Sequence, residues 1–163
     1  MTPANLDGAP GQLLADLRSL IDSTRRQTIA AVSMGLTLLY WRIGRRINAE
    51  ILQGERAAYG EQIVATLSQQ LATEYGRGYT NKNLRRMIQF TQAFPDEQIV
   101  AALRRQLSWT HFRELLPLNK PFQRDFYAEM CRIEGWSTRT LRERIDSMLY
   151  ERTALFKKPE VRS

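Results

Sequence analysis

The chain has one cysteine, one histidine and no long hydrophobic run, and each of these scarcities excludes a class of protein. A single cysteine, Cys131, cannot form a disulfide within the chain, which is typical of a reducing compartment. One histidine and one cysteine cannot assemble a zinc site of the usual kind, so we expect no metal and no cofactor. No apolar run approaches the length of a membrane span, and the first residues lack the pattern of a signal peptide. We therefore expect a cytoplasmic protein with no membrane partner.

Alternation of apolar and polar residues with period two is also scarce, so no strand is predicted with any length. Apolar residues recur instead at spacings of three and four, the period of an amphipathic helix. The sequence predicts a flexible tail over residues 1–10 and a single all-helical domain over residues 11–157. Residues 158–163 are predicted to begin a linker. The predicted fold class is all-α: a multi-helix bundle with a long N-terminal helix. Any short wing strands would lie in the connections between helices.

The long N-terminal helix is predicted from Gln12 to about Gly54, with a break near Thr24 or a bend near Gly35 because of its length. Its centre is apolar nearly all round, as in a segment that is buried on more than one side. The core of a bundle within one chain explains this segment at least as well as an interface with a second copy, a nuclease domain or another subunit. The candidate interface residues are Leu36, Leu39, Ile43 and Ile47.

Other helix ends are predicted from capping residues and glycines. Four polar side chains would cap helix starts, namely Asp96, Ser108, Asn119 and Ser137, and Gly135 would end the helix that begins after Asn119. Tyr59-Gly60 would precede another helix, and His111 would lie on the short helix after Ser108. The last helix would run from Ser137 to about residue 156.

Acidic residues are absent from three stretches: residues 23–49, 75–95 and 98–113. The net charge is +7, from 24 Lys and Arg against 17 Asp and Glu. Such clustering leaves positive surface without neutralising carboxylates, which suits a polyanionic partner. The preference for arginine over lysine is weak evidence by itself, because a GC-rich genome produces the same bias.

The stretch 75–95 has the pattern of a helix, a tight turn and a second helix. Gly76 and Gly78 can take the positive φ that ends a helix and reverses the chain, and Thr80 can cap the helix that follows. The sequence therefore predicts a helix-turn-helix-like unit at about 61–94.

In this unit the supporting helix would cover residues 61–75 and the recognition helix residues 81–94. The recognition helix would bury Leu84, Met87, Ile88, Thr91 and Phe94. Its outward face would carry amide and guanidinium groups, which phosphate contact and base-edge reading require. The candidate DNA-binding residues are Arg77, Thr80, Asn81, Lys82, Asn83, Arg85, Arg86 and Gln89. The competing explanation is a solvated basic helix face without a ligand.

Catalytic chemistry has little support in the sequence. Carboxylate pairs such as Glu50 with Glu55 lie beside arginines on helix faces, where solvated ion pairs explain them. His111 has no nucleophile nearby, and a buried hydrogen bond explains it better than a phosphate contact. We expect Cys131 to be a small core residue and the chain to be non-catalytic.

Four motifs, in this order, resemble the N-terminal domain of the YhcG family from about residue 13 to residue 155: YWRIGRRINAEI, AAYGEQIVATLSQQLATEYGRGYTNKNLRRMIQF, LSWTHFRELL and RDFYAEMCRIEGWSTRTLRERI. Members of that bacterial family join a helical front domain to a C-terminal nuclease domain of the PD-(D/E)xK type. The resemblance implies a module that binds double-stranded DNA or a protein, and that targets or regulates a nuclease domain or a separate nuclease subunit.

The chain departs from the family pattern at the nuclease motif, which pairs an acid with a later acid-x-Lys to hold a divalent metal. After Pro95-Asp96, no Asp or Glu stands two residues before a lysine. Nuclease activity is therefore not expected of this chain. We expect it to be either the front part of a longer protein or a stand-alone version.

Overall fold

A computed structural model describes residues 9–54 and 57–157, and this part of the chain is all-α, without a strand. The helices are α1 (Ala9–Gln53), α2 (Ala57–Tyr75), α3 (Asn81–Ala93), α4 (Glu97–Leu103), α5 (Trp109–Leu115), α6 (Pro121–Glu134), α7 (Thr138–Asp146) and α8 (Leu149–Lys157). A short 3₁₀ turn, Arg77–Tyr79, lies between α2 and α3. The all-α prediction is confirmed, and the described connections contain no wing hairpin.

The first helix, α1, begins at Ala9, two residues inside the predicted tail, and continues without interruption to Gln53. Its 45 residues span about 67 Å at about 1.5 Å per residue, more than twice the diameter of a small domain. The predicted break near Thr24 is absent, and the Thr28 hydroxyl donates to the Thr24 carbonyl at 2.9 Å within the helix. Among the described residues, no helix combines the length and the apolar character that a membrane crossing needs.

The larger of two clusters of buried side chains surrounds Trp41 on α1. The indole N–H of Trp41 donates to the Phe94 carbonyl at 2.7 Å. Three aromatic rings pack beside it, with the Phe112 ring centre 4.5 Å from that of Phe90 and 5.2 Å from that of Phe94. This cluster joins α1 and α3 to the C-terminal helices through Tyr127, Cys131 and Leu141.

The smaller cluster lies where α1 crosses α3, and it contains Ile47, Val64, Leu84 and Met87. Gly44 allows the two helices to approach closely, because a Cβ atom at that position would lie 1.9 Å from the Met87 carbonyl oxygen. As a result α3 packs mainly against α1. The predicted supporting helix, α2, completes this cluster through Val64 but is not the principal neighbour of α3.

Most of the predicted helix ends are confirmed. The side chains of Asp96, Ser108 and Ser137 each accept a backbone N–H at the starts of α4, α5 and α7. Gly135, at φ 66°, ends α6 in the left-handed conformation that glycine tolerates best. Local capping chemistry therefore sets these boundaries as the sequence predicted.

Three predicted helix ends are wrong. Lys120, rather than Asn119, precedes α6, and it makes no side-chain cap. The last helix is two helices, α7 and α8, separated by Met148 at φ 59°. Gly60, predicted to precede α2, lies inside that helix and is buried.

Candidate nucleic-acid interface

The turn before α3 fixes where that helix begins. Gly76, at φ 97°, ends α2 as predicted, whereas Gly78 does not have a positive φ and lies in the 3₁₀ turn. The Thr80 hydroxyl accepts the Asn83 N–H at 3.4 Å, which confirms the predicted cap. Thr80 therefore stabilises the first turn of α3.

The two faces of α3 separate as the sequence predicted. Its inner face buries Leu84, Met87, Phe90, Thr91 and Phe94, while Ile88 is only partly buried. Its outer face exposes Lys82, Arg85, Gln89 and Gln92, whereas Asn81, Asn83 and Arg86 are partly buried at the edges. Phe90 was not predicted to be buried, and the structure adds it to the inner face.

Amide side chains orient the arginines of α3. The Nε atom of Arg85 donates to the Asn81 Oδ1 atom at 2.7 Å, and Arg86 donates to the Asn83 Oδ1 atom at 3.2 Å. The Asn83 Nδ2 atom also donates to the Arg77 carbonyl at 3.2 Å, which ties the turn to the helix. Because an amide oxygen carries no net charge, these bonds hold the guanidinium groups in place without neutralising them.

In the folded chain, ion pairs neutralise part of the positive charge of the acid-free stretch on α1. Glu97 contacts Arg42 at 2.7 Å and Arg45 at 3.5 Å, and Arg46 pairs with Glu50 at 3.1 Å. In contrast, within residues 9–54 and 57–157 no carboxylate pairs with a cation of α3 or of the turn before it. Among the described residues the α3 face therefore keeps its charge, as do Arg104, Arg105 and Arg113 of the third acid-free stretch.

His111 is buried and joins two parts of the fold. The Ser108 N–H donates to Nδ1 of His111 at 3.0 Å, so Nε2 carries the proton and donates to the Trp136 carbonyl at 2.7 Å. With both ring nitrogens occupied, His111 has a structural role and no phosphate contact.

Cys131 is buried, as predicted, and burial raises the pKa of its thiol to about 12. The thiol stays protonated near neutral pH and is a poor nucleophile. In the part of the chain that the structure describes, no group of three or more His, Cys, Asp or Glu side chains is placed to hold a metal ion.

The four candidate interface residues of α1 divide into two pairs. Ile47 is buried in the smaller cluster and Ile43 packs against it, so both belong to the core of this chain. Leu36 and Leu39 remain 39% and 42% exposed. Of the four candidates, Leu36 and Leu39 therefore remain available to an interface on α1.

The family model described as the DUF1016 N-terminal domain matches residues 16–152, most of the chain. The chain belongs to this family. It is 32% identical over 167 residues to the protein named putative nuclease YhcG of Escherichia coli (strain K12). The alignment covers 83% of this chain and 44% of YhcG. No solved structure gives a significant match.

The DUF1016 match confirms the resemblance drawn from the four motifs. It concerns an N-terminal domain, and the chain spans less than half the length of YhcG. No catalytic domain is matched within this chain.

Proposed function

We propose that this chain is a non-catalytic module that binds double-stranded DNA through α3 and thereby targets or regulates a nuclease. The observation that carries the proposal is the outer face of α3, where Lys82, Arg85 and Gln89 are exposed. Among the described residues no carboxylate pairs with Lys82 or Arg85. Unneutralised cations beside an amide are the groups that contact phosphates and base edges.

The spacing of these side chains suits the major groove of DNA. Lys82, Arg85 and Gln89 lie three and four residues apart, so they share one face of the helix and span about 10 Å along its axis. The major groove, about 12 Å wide, admits an α-helix. In this arrangement Lys82 and Arg85 contact phosphates and Gln89 reads a base edge, while Arg77 contacts the backbone from the turn.

The remaining candidates position this surface. Asn81 holds the Arg85 guanidinium and Asn83 holds that of Arg86, which lowers the entropy lost when DNA binds. Thr80 caps the helix, so its effect on DNA is indirect.

The relative YhcG, whose name describes it as a putative nuclease, supports the choice of ligand. A nuclease acts on nucleic acid, so a front domain with a basic helix face has an evident polyanionic target. Because the chain covers only 44% of that relative, the link to a nuclease domain or subunit is part of the proposal.

The salt dependence of binding tests the proposal. Fluorescence anisotropy with a mixed-sequence duplex measures affinity at several salt concentrations. Each phosphate contact contributes about −0.9 to the slope of log K against log salt concentration, so Lys82→Ala with Arg85→Ala should make the slope shallower by about 2.

A matched control removes the same charge elsewhere. Arg132 and Arg139 are exposed and pair with Glu129 and Glu143, so Arg132→Ala with Arg139→Ala should leave the slope unchanged. An equal loss in both double variants would show that only net charge matters and would overturn the role of α3. Tighter binding to single-stranded RNA than to duplex DNA would overturn the choice of ligand.

A further inference from the structure

The first half of α1 carries an exposed apolar stripe that nothing in the described structure covers. Its residues are spaced by one, three or four positions: Leu13, Leu17, Leu20, Ile21, Thr24, Thr28, Ala31, Val32, Gly35 and Leu39. The large side chains among them are between 42% and 65% exposed. No charged residue belongs to this stripe.

The stripe faces away from the rest of the chain. Thr37 and Trp41, on the packed side of α1, are 0% and 1% exposed. Leu39 is two residues from each of them, which on a helix of 3.6 residues per turn places it about 200° around the axis. The helices that bury Trp41 therefore cannot reach the stripe.

The stripe is comparable in size to the largest apolar patch on a typical monomer, and such patches are often functional. From Leu13 to Leu39 it rises about 40 Å and is about 10 Å wide, an outline of roughly 400 Å². Contiguous exposed apolar patches of this size often mark an interaction site. A projecting helix also gains most of its stability from packing.

The stripe is symmetrical about Arg26. Positions equally distant from Arg26 are both stripe residues: Thr24 with Thr28, Ile21 with Ala31, Leu20 with Val32, Leu17 with Gly35, and Leu13 with Leu39. An antiparallel copy would therefore place a stripe residue opposite each stripe residue. Large Leu17 and Ile21 would meet small Gly35 and Ala31, which allows the close approach of two helices.

We propose that two copies of this chain pair antiparallel through this stripe, with the twofold axis at the height of Arg26, whose own side chain lies on the opposite face of α1. Such an interface uses the same patch on both copies, as a twofold dimer requires. Two facing outlines give about 800 Å², and projecting side chains expose more than their outline, so the buried area comes close to the roughly 1,000 Å² that a biological interface should exceed. The pairing is independent of DNA binding by α3.

The mass in solution tests the pairing. Multi-angle light scattering should give twice 18.9 kDa for the full chain. Leu17→Glu with Ile21→Glu should give a monomer with unchanged tryptophan fluorescence, because both side chains are exposed and lie several turns of α1 away from the buried Trp41. Ile29→Glu is the matched control: Ile29 is 70% exposed on the same helix but lies about 120° from Leu17, outside the stripe.

Cross-linking tests the orientation. Under oxidising conditions, Leu17→Cys with Gly35→Cys should give a covalent dimer, whereas Leu17→Cys alone should not. Position 35 accepts a side chain, since an added Cβ there meets nothing within 4 Å, and Cys131 is buried.

Three results would overturn the proposal. They are a monomeric wild-type chain, a dimer that persists in the Leu17→Glu with Ile21→Glu variant, and a dimer that Leu17→Cys cross-links by itself. A monomeric wild-type chain would leave the stripe to a different partner, such as the part of longer relatives that this chain does not cover.

Discussion

At the scale of single residues, the one histidine of the chain connects elements that are distant in sequence. His111 accepts the Ser108 N–H at the start of α5 and donates to the Trp136 carbonyl in the turn between α6 and α7. The sequence predicts that His111 lies on the short helix after Ser108, and it favours a buried hydrogen bond over a phosphate contact. Its second partner, 25 residues away, became evident only in the fold.

We expect His111→Ala to lower the free energy of unfolding by about 1–3 kcal/mol, because it leaves the partly buried Ser108 N–H and Trp136 carbonyl without these hydrogen-bond partners. Urea denaturation monitored by tryptophan fluorescence measures the change. Thr110→Ala, an exposed position on the same helix, should change stability by no more than about 0.5 kcal/mol. Equal effects at the two positions would contradict the role of His111.

At the scale of helices, the crossing of α1 and α3 holds the basic face of α3 outward. The crossing depends on Gly44, because the Met87 carbonyl occupies the space that a side chain would need. A glycine inside a helix, with apolar residues such as Trp41 and Ile47 three positions before and after it, is the sequence signal for such a packing role, although it does not identify the partner helix.

Gly44→Ala should therefore destabilise the protein by about 1–3 kcal/mol, since the helices must separate to admit the methyl group. Gly35→Ala is the control on the same helix, where a Cβ meets nothing within 4 Å. Its higher helix propensity should stabilise the protein by about 0.5–1 kcal/mol. Thermal denaturation at low protein concentration, which avoids association, compares the two. Similar melting temperatures would refute the close crossing.

At the scale of the whole molecule, folding separates charge from apolar surface. Glu97 reaches Arg42 and Arg45, so the middle of α1 loses part of its positive character while α3 keeps its own. The apolar stripe lies on the side of α1 that faces away from its packed residues. The two proposed surfaces therefore depend on salt in opposite ways.

Raising salt from 50 to 200 mM should weaken duplex binding about 40-fold if Lys82, Arg85 and Arg77 each contact a phosphate. The same change should strengthen pairing, because Arg25 borders the stripe near the proposed twofold axis and salt screens its repulsion from its counterpart. Anisotropy and light scattering in the same buffers measure both. A parallel fall in both would contradict two separate surfaces.

The sequence by itself determined the helical class, most helix ends and the two faces of α3. Caps such as Thr80 and Ser108 act on backbone groups two or three residues away, so their effect can be read locally. Helical period likewise decides which residues of α3 share a face. The DNA contacts and the pairing remain predictions.

Only the tertiary structure decided which surfaces stay free. The apolar period of α1 fits a core at least as well as an interface, and the fold assigned Ile47 to the core and left Leu39 exposed. The neutralisation of Arg42 depends on Glu97, 55 positions away. Contacts at such distances are set by how the helices pack, and the spacing of residues along the chain does not contain that information.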